Sequence, residues 1–255
     1  MTAPAADHLT SYERDGFVIA RGVVDDDFLA HARHHVDWLQ ERWPEARGED
    51  LGESLLADDP CWLSIVSDDR LVSLAAEFVG PDIALFATHY ICKPAGSGRP
   101  VLWHQDAGYW PLEPMSVVTL WLAIDPSTTE NGCLRVIPGS HREPVYARRT
   151  RDDVDSVFGD ESDVTVDETA AVDVELAPGD VEIHHAALIH GSGANRSSMR
   201  RCGLTIRYIP TSTRIVTDTP PWPSAFLLRG DPGVNEYRTP PVFDPDRHLP
   251  PVGHR

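Results

Sequence analysis

From residue 81 onward the chain is broken repeatedly by Pro, Gly, Asn and Asp. Between the breaks lie short segments rich in β-branched and aromatic residues: 83–91, 101–103, 117–124, 133–137, 172–176, 181–185 and 201–209. Segments of this length and composition suit pleated strands, and their regular punctuation suits sheets closed against each other. A chain of 255 residues that must bury so many short strands has few solutions. The succession predicts a mainly β protein, a double-sheet jelly roll or barrel with flanking α-helices.

The helices belong to the first third. A short polar helix leads to a compact apolar strand at Gly16-Phe17-Val18-Ile19-Ala20. Residues 25–27 then offer an N-cap and an acidic first turn to a helix carrying Phe28, Leu29, Ala32, Val36 and Leu39 before Pro44 stops it. Residues 47–60 read as a polar loop, and 71–79 as an amphipathic helix ended by Gly80-Pro81. We find no repeat and no linker. The expectation is one domain over residues 1–255, with helices over 1–80 packed on a core over 81–210 and a proline-dense, irregular wrap over 211–255.

A net charge of −18 disfavours nucleic acid as a partner, because neutralising phosphates needs a basic surface. The opening residues carry Asp7, Glu13 and Asp15 and no apolar run, so no secretory signal or membrane span is expected, and a cytoplasmic protein is. Cys61, Cys92, Cys133 and Cys202 lie far apart without a Cys-x-x-Cys pair and read as buried free thiols. His31, His34 and His35 share one helix. With no acidic partner in the motif, they read as a solvated face. The acidic stretch 146–171 has little periodicity and is expected to cover a site.

The chemistry centres on Trp103-His104-Gln105-Asp106, an imidazole and a carboxylate two residues apart between apolar runs. On a strand that spacing places both side chains on one face. With a third ligand from elsewhere they would make the 2-His-1-carboxylate triad that holds non-heme Fe(II) with open positions. His190, in Leu188-Ile189-His190-Gly191-Ser192-Gly193, is the best candidate, with His141, His184 and His185 as rivals. His184 and His185 must face opposite sides of a strand, and each reads as core or support rather than ligand; His141 reads as structural. Arg201 follows His190 by eleven residues. An open iron site that activates oxygen needs an electron-donating co-substrate, and a guanidinium is suited to anchor the far end of a chelating dicarboxylate.

These motifs together resemble the phytanoyl-CoA dioxygenase family of Fe(II)- and 2-oxoglutarate-dependent oxygenases. The resemblance runs through Tyr12-Glu13-Arg14-Asp15-Gly16-Phe17-Val18, His104-Gln105-Asp106, the segment from Asn131-Gly132-Cys133 to Pro138-Gly139-Ser140-His141, and the segment from His190-Gly191-Ser192 through Arg201. It implies a double-stranded β-helix, or cupin-like jelly roll, and Fe(II), 2-oxoglutarate and O2 as reaction partners. It implies that His104, Asp106 and His190 ligate iron and that Arg201 pairs with 2-oxoglutarate, assisted by Ser192 and packed by Trp121. Arg196 and Arg200 are rivals that the spacing disfavours. His89 and Lys93 fall near family positions that touch the co-substrate, while Gln105, Tyr109 and Trp110 are candidates for substrate contact.

Halogenating relatives leave the carboxylate position empty for chloride, so Asp106 favours hydroxylation. The expected reaction is hydroxylation of an unactivated C–H of a small metabolite, a natural-product intermediate rather than an acyl-CoA. Epimerisation, oxidative cyclisation and desaturation begin from the same hydrogen abstraction and stay open. A non-redox isomerase or lyase would have no use for Arg201, and a binding module would be expected to lack a ligand. The protein is expected to act as a monomer or homodimer on a small molecule, away from membranes.

Overall fold

The computed structural model describes residues 5–52 and 56–252. Among the described residues, helices α1 (Ala5–Asp15), α2 (Asp26–Arg42), α3 (Pro60–Val66) and α4 (Asp69–Val79) precede most of the strands. Each start after the first has a carboxylate cap. Asp25 accepts from the Phe28 amide, Asp59 from those of Cys61 and Trp62, and Asp68 from that of Arg70, each satisfying an amide the first turn would leave open. Gly80, with φ of 87°, closes α4 in a conformation a side chain would strain.

The strands are β1 (Phe17–Ala20), β2 (Leu51–Gly52), β3 (Ile83–Lys93), β4 (Val101–His104), β5 (Leu112–Glu113), β6 (Val118–Ala123), β7 (Leu134–Val136) and β8 (Arg148–Thr150). They continue with β9 (Asp160–Ser162), β10 (Val172–Val174), β11 (Val181–His185), β12 (His190–Ser192), β13 (Arg201–Pro210), β14 (Arg214–Ile215) and β15 (Phe226–Arg229). The larger sheet runs β1-β11-β6-β13-β3-β15, with β2 also on β3, and the smaller β10-β7-β12-β4. Their antiparallel pairings make the expected jelly roll.

Alternation along the larger sheet divides its two faces. Cys202, Leu204, Ile206 and Tyr208 of β13, Leu120 and Leu122 of β6, and Ile183 of β11 pack under Phe28, Val36 and Leu39 of α2, Trp62 of α3 and Leu71 of α4. Their neighbours Arg201, Thr205 and Arg207, with Trp121 and His184, line the space shared with His104 and His190 of the smaller sheet. The period of two thus gives an apolar face to the helices and a polar interior to the jelly roll.

Several local expectations change. Cys92 and Cys202 stand opposite each other in the β3–β13 register and are joined as a disulfide, whereas Cys61 and Cys133 are free and buried. A pairing across 110 residues of sequence leaves no trace in local spacing. The helix histidines are not a solvated face. His34 is exposed, but His35 is buried between Tyr90 and Asp59, and His31 is half-buried against Cys61. Within 47–60, Leu51 pairs with Tyr90 and is buried. The proline-dense segment is not irregular throughout, since β14 pairs with β5 and β15 extends the larger sheet. Stretch 146–171 contains the β8–β9 hairpin. Among the described residues, no helix is long and apolar enough to cross a membrane.

Candidate iron and co-substrate site

His104 ends β4 and His190 begins β12, and the two are register partners with ring centroids 4.1 Å apart. Each ring Nδ1 faces the carbonyl two residues earlier, His104 to Leu102 at 2.8 Å and His190 to Leu188 at 2.9 Å. A carbonyl only accepts, so Nδ1 carries the proton and Nε2 presents a lone pair. Asp106 reaches the same point by a different route from the expected one. The strand stops at His104, and a short 3-10 turn, Asp106–Gly108, swings the carboxylate alongside. One donor atom from each of His104, Asp106 and His190 lies within 4.8 Å of the others, and all three residues are buried.

The protonation states of Asp106 and His190 suit a cation. Burial would raise the Asp106 carboxyl, but the nearby Arg207 charge and contacts with His104 and His184 hold it well below the usual carboxylate range. Thr119 donates to its Oδ2 at 3.2 Å. Burial, helped by the neighbouring imidazoles of His104 and His184, keeps His190 far below its ordinary value, hence neutral and free to donate electrons.

A narrow cavity leads from His190 past Gly191 and Ser192 to Arg201, with Trp121 and Leu134 in its walls. Arg201 lies over the Trp121 ring at 4.8 Å and donates from Nη1 to the Gly132 carbonyl. Its Nε is buried without a hydrogen-bond partner, and among the described residues no carboxylate lies within ion-pair distance of it. Lys93 donates to Ser192 Oγ and the Gly193 carbonyl, both at 2.6 Å. Burial, reinforced by Arg201, lowers the Lys93 ammonium well below its ordinary value. Arg201 and Lys93 thus lie buried together, with the charge of buried Glu49 acting on both but forming no ion pair with either, an arrangement suited to a carboxylate ligand. The rivals are elsewhere: Arg200 is paired with Asp125 and Asp37, and Arg196 is exposed.

A wider cavity of about 300 Å³ meets the triad from the other side, at His104 and Asp106. Tyr109 and Trp110 line it, together with Ala87, Thr88, His89, Phe158 and Arg207. His89 therefore stands apart from the residues around Arg201. Its strand phase matches that of Lys93, but it lies four residues further from that end of β3, and burial lowers its pKa to about 4. Gln105 lines neither cavity. Its amide donates to the carbonyls of Pro144 and Ala187 and accepts from the Tyr146 amide, so it clamps the chain beneath the site.

A family model described as phytanoyl-CoA dioxygenase (PhyH) matches residues 12–203. The chain belongs to the phytanoyl-CoA dioxygenase family. Phytanoyl-CoA dioxygenase 1 of Oryza sativa subsp. japonica is 34% identical over 201 residues, 74% of this chain and 70% of the rice protein. The solved apo structure of the non-heme monooxygenase ThoJ has a TM-score of 0.77 at 27% identity, covering 93% of this chain and 88% of its own. The epimerase SnoN, solved with Fe3+, alpha-ketoglutarate and nogalamycin RO, shares the fold with a TM-score of 0.70 at 22% identity, covering 94% and 96%.

This PhyH-family chain is a 2-oxoglutarate-dependent non-heme iron dioxygenase. Its residues fit both partners: two imidazoles and one carboxylate make a donor set for Fe(II), and Arg201 has a buried N–H without a partner. The structure also brings in Arg207 and Phe158, which the motifs did not mark, and places His184 beside Asp106. Arg207 lies 3.8 Å from Asp106 Oδ2 and lines both cavities. His184 is 3.5 Å from the same oxygen and donates to buried Glu182 at 2.7 Å. Phe158, from the acidic stretch, packs on the His104 ring at 5.5 Å. Arg207 was findable by counting in twos from Arg201 along a strand; Phe158 was not, since its position depends on a long connection.

Proposed function

We propose that the chain hydroxylates an unactivated C–H bond of a small metabolite of natural-product type. One atom of O2 would enter the substrate and the other the succinate formed, with carbon dioxide, from 2-oxoglutarate. The observation that carries this reading is the convergence of two separate cavities on one triad, a narrow one ending at unpaired Arg201 and a wide one of about 300 Å³.

In this reading His104, Asp106 and His190 hold the iron, which with 2-oxoglutarate and O2 supplies the oxidising equivalent that removes a hydrogen atom from the substrate. Arg201 takes the far carboxylate of 2-oxoglutarate, with Trp121 as its floor. Ser192 and Lys93 close that end of the cavity. Asp106 fills the coordination position that a halogenating relative leaves to chloride, which favours oxygen insertion. Tyr109, Trp110 and Phe158 would offer apolar walls to the substrate, and Arg207 a polar contact. Position decides the outcome, since a displacement of about 1 Å at a reacting atom costs roughly a hundredfold in rate.

The test is Fe(II)-dependent succinate formation screened across candidate metabolites, with mass analysis of the product. Hydroxylation gives a product heavier by one oxygen atom, labelled when 18O2 is used. An unchanged mass would mean epimerisation and a loss of two hydrogens cyclisation or desaturation. Turnover without oxygen or 2-oxoglutarate would point to an isomerase or lyase, and binding without turnover to a binding module.

A further inference from the structure

The outer side of the larger sheet holds a second group of metal-type donors. His31 and His35 are one helical turn apart on α2 and share a face. Asp59 and Cys61 come from the start of α3. One donor atom each of His35, Asp59 and Cys61 lies within 4.8 Å of the others, and all three residues are buried. His31 lies beside this group, its Nε2 3.2 Å from the Cys61 sulfur, and must swing toward His35 and Asp59 to complete it; His35 Nε2 is 3.0 Å from Asp59 Oδ2.

We propose that His31, His35, Asp59 and Cys61 form a structural zinc site, separate from the iron site. The donor set is two imidazoles, a thiolate and a carboxylate, which suits zinc rather than the all-oxygen shells of magnesium or calcium. Four protein donors leave no position for a substrate, as in structural sites. Tetrahedral zinc with ordinary bond lengths sets neighbouring donors roughly 3.3–3.6 Å apart. The contacts of 3.0 and 3.2 Å lie a few tenths of an ångström inside that, and the ion would draw in the remaining pairs, which lie within 4.8 Å among His35, Asp59 and Cys61, and turn His31 onto them.

The surroundings aim the donors as a metal site requires. Tyr90 hydroxyl contacts His35 Nδ1 at 3.0 Å, leaving Nε2 for the centre. Asp59 Oδ1 is engaged by the Cys61 amide at 2.8 Å, which leaves Oδ2 directed at His35. His31 also hydrogen-bonds the Pro250 backbone. A cavity of about 170 Å³, lined in part by Asp58, Asp59, Arg247 and His248, gives a path to Asp59. The ion would tie α2 to α3, and its ligands release their protons on binding, so the thiol is bound as thiolate.

The test uses the full chain with the iron site disabled by His104→Ala and Asp106→Ala. We expect that variant to keep one zinc per chain by elemental analysis. After exchange for Co(II), we expect the near-ultraviolet sulfur-to-cobalt charge-transfer band that a His and carboxylate iron site does not give. The band should vanish with Cys61→Ser and survive Cys133→Ser. If Cys61→Ser folds poorly, His31→Gln serves instead: its zinc affinity should fall at least tenfold while the band remains. No retained zinc and no band in the iron-site variant, a band that survives Cys61→Ser, or unchanged zinc affinity in His31→Gln would overturn the proposal.

Discussion

The Arg201 guanidinium lies 4.8 Å over the Trp121 ring, and Gly203, two residues along the same strand face, leaves the room that ring occupies. A Cβ at Gly203 would fall 2.1 Å from Trp121 Cζ2, far inside contact distance. Gly203→Ala must therefore displace the indole and tilt its cation, at an overpacking cost of about 1–3 kcal/mol. We expect the Kd for 2-oxoglutarate, measured by titration of the iron-loaded protein, to rise about tenfold or more. An unchanged Kd would separate Trp121 from co-substrate binding.

Arg201→Lys keeps a charge but loses the planar pair of donors that meets a carboxylate side by side. Arg201→Met leaves Lys93 as the nearby cation. The Met variant should lose about 2–5 kcal/mol of co-substrate binding and the Lys variant less. Steady-state KM for 2-oxoglutarate measures both. Equal, small effects would contradict the assignment, and 2-oxoglutarate would then have to be anchored by another cation.

Gln105→Leu removes three side-chain hydrogen bonds, to Pro144, Ala187 and Tyr146, and strands the buried Ala187 carbonyl, while the groups of exposed Pro144 and half-buried Tyr146 can turn to water. The expected loss of stability is about 1–3 kcal/mol for each group left unsatisfied, read by denaturant unfolding. Gln105 lines neither cavity, so discrimination among substrates should not change. A variant with native stability and altered substrate preference would restore Gln105 to the substrate-binding set.

Phe158→Ala opens the cover over His104 that the β8–β9 connection provides. Closed sites limit side reactions by excluding water. Succinate should then form in excess over oxidised substrate, with the ratio of the two products moving several-fold from the wild-type value. Tight coupling in the variant would show that the acidic stretch does not guard the reaction.

How far the site was legible depends on where its information lies. His104, Asp106, His190 and Arg201 stand in local motifs with fixed spacing, and the structure brings all of them to one interior face. Local spacing gave the longer strands β3, β6, β11 and β13 as well, because β-branched runs and turn residues act over a few positions. What it did not give depends on register between distant segments. Cys92 meets Cys202 only when β3 lies beside β13, and His35 meets Asp59 only when α3 packs on α2. Gln105 points away from the metal donors, as alternation alone reads it, although the strand ends at His104 and Asp106 stands in a 3-10 turn. Arg207 was masked for a different reason, since a charged residue in a strand reads as solvent-facing until the burial of both sheet faces is known.

The most direct test of the central claim is succinate formation by wild type and Asp106→Ala, assayed with Fe(II), 2-oxoglutarate, O2 and a substrate that stimulates the wild type. If His104, Asp106 and His190 hold the iron, the variant loses substrate-stimulated succinate and the hydroxylated product together. Undiminished turnover in Asp106→Ala would contradict the account and move the metal away from this triad.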